Sequence, residues 1–252
     1  KRQKGGRPRR YALISDVHGN IEALEAVIDR FEDMGGIDRW FCLGDLVGYG
    51  AEPDACCSRI RELAEVTLLG NHDAAVAGRM DYSYYYDAAR EALDWCRERL
   101  SPENLQWLKS LPYTHEEDHV ALSHGSPLNP EEYDYVFCAE QAHDVLKAKP
   151  DLAPVTFIGH SHLTRAFAVS DDEALDVVAP RFTLKPEFRY VVTVGSVGQP
   201  RDYDPRACAG LYDSETRTFE YVRVDYDVES QRQKIIDAGL AQNFGTRLLL
   251  GI

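Results

Sequence analysis

No run of apolar residues approaches the roughly 20 needed to span a bilayer, and no secretory leader is expected from the sequence. The six cysteines (Cys42, Cys56, Cys57, Cys96, Cys138 and Cys208) form no C-x-x-C pair, and adjacent Cys56-Cys57 is an awkward start for a disulfide framework. Several lie in apolar stretches where cysteine serves as a small hydrophobe, so reduced thiols and a cytoplasmic protein are expected. Internal repeats and low-complexity linkers are also missing. Gly48-Tyr49-Gly50 lacks the third glycine of a dinucleotide loop, and Gly195-Ser196-Val197-Gly198 does not match the G-x-S-x-G nucleophile elbow. A dinucleotide-dependent enzyme and a serine hydrolase are thereby set aside.

Positive charge is short as well. The 252 residues carry a formal net charge of −14. Six of the 28 basic residues fall in the first ten, which are expected to form a flexible arm and leave about −20 on the remainder. Such a surface repels a nucleic-acid backbone, so polymer binding is not expected and a small ligand entering a cleft is. The length suits one large domain, here residues 11–252.

The chain opens with a short apolar run, Tyr11 to Ser15, read as a buried strand. Asn20 is placed to cap a helix whose apolar face is Ile21, Leu24, Ile28 and Phe31, ended by Gly35-Gly36. Trp40–Leu43 and Val66–Leu69 read as further strands, with a helix over Arg59–Glu65 between them. This alternation implies a parallel sheet with right-handed crossovers. Residues 74–110 read mostly as helix, inside a variable helical region spanning about 74–150. Strands are expected at Val120–Ser123 and Val155–Ile158, around a helix at Ala139–Lys147. After His162, strands near 166–169, 182–184, 190–194, 209–212 and 219–224 predict a second, mainly antiparallel sheet. Asp227 caps a last helix that Gly239 ends (about 227–239), and Gly245 is expected to break the final stretch of the chain.

Five strand ends carry polar clusters: Asp16-Val17-His18, Gly44-Asp45, Gly70-Asn71-His72-Asp73, Ser123-His124-Gly125 and Gly159-His160-Ser161-His162. Binding residues collect at the carboxyl ends of strands in sheets of this kind. One D-x-H or one Gly-Asp turn means little alone. Five such clusters in order, each after a strand, point to one rim holding five of the eight histidines. His115, His119 and His143 lie away from the strand ends and are read as surface residues. The tyrosines Tyr82, Tyr84, Tyr85 and Tyr86 are read as helix packing, with stacking on a nucleoside as the alternative.

This ordered set resembles the calcineurin-like metallophosphoesterases. The wider wording is similar to a small bacterial and archaeal phosphodiesterase-like branch: Asp16-Val-His-Gly-Asn-Ile-Glu-Ala-Leu24, Gly44-Asp-Leu-Val-Gly-Tyr-Gly50 and Gly195-Ser-Val-Gly-Gln-Pro-Arg-Asp202. Thr193-Val194 departs from the Asn-Pro common there. The resemblance implies an α+β fold, a four-layer α/β/β/α sandwich of two mixed sheets flanked by helices. It also implies two divalent metals, one bound by Asp16, His18 and His162, the other by Asn71, His124 and His160, with Asp45 bridging. Mixed nitrogen and oxygen ligands suit Mn, Fe or Zn better than Ca.

The implied activity is hydrolysis of a small phosphodiester or phosphomonoester, in which activated water attacks phosphorus directly. His72 would donate a proton to the leaving group or stabilise its charge. Asp73 would orient His72, or serve only as a helix N-cap. Arg201 and Tyr49 are candidates for touching the substrate. Two alternatives remain: a protein Ser/Thr phosphatase, disfavoured by the lack of long extra segments, and a non-catalytic scaffold of the same fold, disfavoured because His72 is present.

Overall fold

The computed structural model describes residues 9–252. The expected basic arm lies outside the described residues as far as residue 8. Arg9 and Arg10 belong to the fold: Arg10 opens the first strand, and the Arg9 amide donates to Ser214 Oγ at 2.9 Å.

Strand and helix alternate at first: β1 (Arg10–Ile14), α1 (Ile21–Met34), β2 (Arg39–Cys42), α2 (Pro53–Leu63), β3 (Val66–Thr67) and α3 (Asn71–Ala77). Two further helices, α4 (Asp87–Arg99) and α5 (Pro102–Ser110), precede the hairpin of β4 (Thr114–Glu117) and β5 (Val120–Ser123). After a 3-10 turn at Pro130–Glu132 come α6 (Ala139–Ala148), β6 (Val155–Ile158), β7 (Thr164–Val169), β8 (Ala174–Asp176) and β9 (Arg181–Thr183). β10 (Arg189–Val194), β11 (Ala207–Asp213), β12 (Thr218–Val224), α7 (Val228–Asp237) and α8 (Gln242–Leu250) complete the chain. The expected caps form: the Asn20 side chain accepts from the Ala23 amide at 3.1 Å, and Asp227 accepts from Ser230 at 2.9 Å.

The strands sort into two six-stranded mixed sheets, ordered β3-β2-β1-β11-β12-β9 and β4-β5-β6-β10-β7-β8. The late strands therefore form no sheet of their own, contrary to the sequence expectation. β11, β12 and β9 extend the first sheet from β1, and β10, β7 and β8 extend the second from β6. The period of two along each strand permits this, because both faces of both sheets are covered. In β1, Tyr11 and Leu13 face the second sheet, where Phe157 and Val192 meet them. Ala12 and Ile14 face α1 with Leu24 and Phe31. The second sheet turns Phe167 and Val191 outward onto Ala142 and Val145 of α6. The result is the expected four-layer sandwich.

One helix runs counter to its sequence reading. α8 passes straight through Gly245, which costs about 1 kcal/mol of helix propensity. A Cβ there would meet Arg232 Cγ at 2.9 Å, so glycine is what lets α8 lie close on α7.

Candidate active site

β1, β2 and β3 are mutually parallel, as are β5, β6 and β10. Both sheets therefore end their parallel strands at one rim. Asp16 and His18 follow β1, Asp45 follows β2, and Asn71 and His72 open α3 just past β3. His124 follows β5, while His160 and His162 follow β6. All of them are buried. Their backbones share a feature invisible in the sequence: Asp16 (φ 54°), His18 (47°), Asp45 (57°), His160 (68°) and His162 (58°) are all left-handed. Strain of this kind, of order 1–3 kcal/mol per residue, persists where surroundings over-determine it and clusters at functional sites.

Those surroundings are specific. The Asp16 amide donates to Gly44 O at 2.9 Å, and the His18 amide to Asp45 O at 3.0 Å, tying the first two loops together. Ser196 Oγ donates to Asp16 O at 2.8 Å, so this serine holds a loop and is no nucleophile. Glycines allow the close approach: a Cβ on Gly48 would collide with His72 Nδ1.

Three imidazoles are fixed in one tautomer. His18 Nδ1 lies 2.8 Å from Val47 O, His124 Nδ1 2.8 Å from Leu43 O, and His162 Nδ1 2.6 Å from Gln199 O. A carbonyl only accepts, so each Nδ1 carries a hydrogen; the Nε2 of His18 and of His162 presents a lone pair inward, while the Nε2 of His124 faces the Asp45 carboxylate. His18 Nε2 and His162 Nε2 stand 3.1 Å apart, lone pair to lone pair when both rings are neutral. Asp16 Oδ1, 3.3 Å from His162 Nε2, is buried without a hydrogen-bond donor among the described residues. Asp45 Oδ2 lies 3.3 Å from His124 Nε2 and 3.7 Å from His18 Nε2. Asn71 donates its amide hydrogen to Tyr85 OH at 2.7 Å, which turns Oδ1 toward His124 Nε2 at 3.2 Å. Two groups, Asp16-His18-His162 and Asp45-His124-His160, each bring ligand atoms within 4.8 Å of one another. The donor set fits divalent metal: carboxylate oxygens, imidazole nitrogens and an amide oxygen converge, with backbone carbonyls fixing the imidazoles from behind.

Residues 9–193 match the family described as calcineurin-like phosphoesterase. The chain belongs to that family. Its members are phosphoester hydrolases that normally use divalent metals. An uncharacterised protein of Methanocaldococcus jannaschii is 37% identical over 244 residues, covering 95% of this chain and 97% of that protein. A metallophosphoesterase from Sphaerobacter thermophilus superposes with a TM-score of 0.84 at 33% identity, covering 98% of this chain and 100% of its own. A symmetrical bis(5'-nucleosyl)-tetraphosphatase of Dechloromonas aromatica is 31% identical over 123 residues, 46% of this chain and 43% of that one.

Charge distribution in this phosphoesterase follows from burial and pairing. Burial opposes ionisation of Asp16, yet the carboxyl is held well below the usual range, and of the imidazoles facing it the protonated one, His124, supplies the positive charge. Burial likewise opposes ionisation of Asp45, which is held low by the protonated His124. Burial works against the His124 imidazolium, yet Asp45 pushes its pKa up to about 9. Burial lowers His18, His162, His72 (to about 4) and His160 (to about 3), leaving them neutral. Two carboxylates against one imidazolium leave buried negative charge and free lone pairs, which a cation would satisfy.

Of the two roles expected for Asp73, capping the start of α3 and orienting His72, the structure supports the first. Its oxygens accept from the amides of Asp45 (2.7 Å), Leu46 (2.9 Å), Val47 (3.3 Å) and Gly70 (3.1 Å). His72 Nδ1 has no hydrogen-bond partner among the described residues. Asp73 therefore does not orient His72; it anchors the Asp45 loop to the start of α3. His72 is held by packing against His18, Tyr49 and Tyr85, with ring centroids 4.9, 4.8 and 6.0 Å away. Tyr49 is buried beside His18 and His72, and the Arg201 guanidinium lies 5.8 Å from its ring centroid. His115 and His119 sit about the β4–β5 hairpin and His143 in α6, outside the site. Two contributions went unread in the sequence: Tyr85, read there as helix packing, aims Asn71, and Tyr135 is stacked on His160 at 4.0 Å. A tyrosine gives no sequence signal for either task.

Proposed function

We propose that the protein is a dinuclear metal-dependent hydrolase of small phosphodiesters or phosphomonoesters. Asp16, His18 and His162 would hold one ion and Asn71, His124 and His160 the other, with Asp45 contributing to both. The reading rests above all on the three imidazoles whose Nδ1 atoms are committed to backbone carbonyls and whose Nε2 atoms converge on two ionised carboxylates. When bound, such metals neutralise phosphoryl charge and lower the pKa of water.

The chain's own residues do the rest. His72, neutral through burial, offers an N–H to the leaving-group oxygen and stabilises the charge that develops there. The Arg201 guanidinium lies 5.8 Å from the Tyr49 ring centroid, with Nη2 donating to Gln199 Oε1 at 2.7 Å. A guanidinium with spare donors on an acidic protein suits a phosphate oxygen.

Purified protein should cleave bis-p-nitrophenyl phosphate or p-nitrophenyl phosphate with added Mn²⁺ and carry two metal ions per chain by elemental analysis. Inertness toward both esters with Mn²⁺, Fe²⁺ and Zn²⁺ would sink the reading.

A further inference from the structure

Beside the ligand cluster lies a cleft of about 480 Å³, in the size range of small-molecule sites. Asn71, His72 and His160 form its floor. One wall is Tyr84 and Tyr86, from the segment between α3 and α4. The other is Tyr133 and Tyr135, from the segment before α6. A group attached to a phosphorus seated at His72 and His160 can be accommodated in this space.

The walls are aromatic where solvent reaches them. Tyr84 is 72%, Tyr86 53% and Tyr135 43% exposed. Tyr84 nevertheless has a fixed support, because it packs edge-on against Tyr85 at 5.1 Å, and Tyr85 is hydrogen-bonded to Asn71. The sequence reading of this cluster as helix packing therefore fails for Tyr84 and Tyr86, whose rings remain available for stacking. Glu132 and Asp134 also line the cleft. Their carboxylates repel further phosphates and accept hydrogen bonds from amino or hydroxyl groups.

We infer that this cleft receives the nucleoside of a nucleotide substrate, with its base stacked on Tyr84 or Tyr86 and its N–H or O–H groups directed to Glu132 and Asp134. The inference rests on the phosphoester reading and narrows it to nucleotides. Each stacked ring contributes on the order of tenfold in affinity. Further anionic groups on the substrate are excluded from this side and pass toward Arg201.

The test is calorimetric titration of the Mn²⁺-loaded protein with adenosine 5'-phosphorothioate and with inorganic thiophosphate, which share the anion but not the nucleoside. The nucleoside ligand should bind roughly tenfold tighter or better. Combined Tyr84→Ala and Tyr86→Ala should close that gap, and Tyr84→Phe with Tyr86→Phe should preserve it. Equal affinities, or a gap surviving the alanine pair, overturns the inference. Phenyl phosphorothioate binding as tightly as the nucleoside ligand overturns the nucleoside assignment. The readout does not require turnover, so failure to hydrolyse nitrophenyl esters would count against the phosphoesterase reading separately.

Discussion

Asp73 and Asp45 clamp one another's loops. Asp73 Oδ2 accepts the Asp45 amide at 2.7 Å, and Asp45 Oδ1 accepts the His72 amide, one residue before Asp73, at 2.9 Å. The ends of β2 and β3 are thereby fixed as a unit, and the second Asp45 oxygen is left facing His124 and His18.

Asp73→Asn should therefore destabilise the protein. Asparagine has one acceptor oxygen where Asp73 uses two, so a pair of buried amides loses its acceptor. At about 1–3 kcal/mol for each buried unpaired group, a loss of roughly 2–5 kcal/mol is expected in urea denaturation. Wild-type stability combined with lost activity on poor leaving groups would instead return Asp73 to the role of orienting His72.

Tyr85→Phe removes the acceptor that holds the Asn71 amide in one orientation. Oδ1 is then no longer directed at the cluster, and metal affinity should fall about 10–100-fold, the range found when a partner behind a ligand is lost. Competition with a graded chelator measures this. Unchanged affinity would show that Asn71 is aimed by something other than Tyr85.

How much of this was legible in the sequence depends on the range of the interaction concerned. Asp16, His18, Asp45, Asn71, His72, His124, His160 and His162 each follow a short apolar strand, so local pattern located all eight. The division of late strands between two sheets was not legible, because β11 pairs with β1 across almost the whole chain and an alternating pattern does not name its partner. The left-handed backbone at five of those residues was equally hidden. Aspartate and histidine carry no marker for it; the enclosing hydrogen bonds impose it. Gly245 misled for a related reason, since its value lies in contact with Arg232, not in its own propensity.

His72→Ala should lower kcat by about 10²–10⁴-fold on esters with alkyl leaving groups and by much less on p-nitrophenyl esters, whose leaving group needs little help. Metal content should be retained. The measurement also addresses a second geometry, because a His72 ring nitrogen comes within 4.8 Å of ligand atoms of His18 and Asp45. Loss of one ion on substitution would make His72 a ligand.

Removing the metals should make the protein acid-labile. Burial lowers the pKa of His72 to about 4 and of His160 to about 3, against an ordinary value of 6.5. Below pH 6.5 the unfolded chain takes up protons at these residues and the folded chain does not. Stability therefore rises with pH up to about 6.5 and is lost as pH falls from there through the folded-state values. Each histidine contributes about 1.4 kcal/mol per pH unit in that window; His18 and His162, also lowered by burial, act in the same sense, while Asp73, whose carboxyl burial and Asp45 push up to about 7, acts in the opposite sense. His124, held up to about 9 by Asp45, keeps its proton in the folded chain while the unfolded imidazole gains one only below about pH 6.5, so it opposes the slope near that pH and its stabilisation is lost as pH rises beyond it. Melting of the chelator-treated protein at pH 7, 6 and 5 measures the effect. A flat profile would mean that these imidazoles are hydrated in the metal-free protein, and that the site opens once its ions are gone.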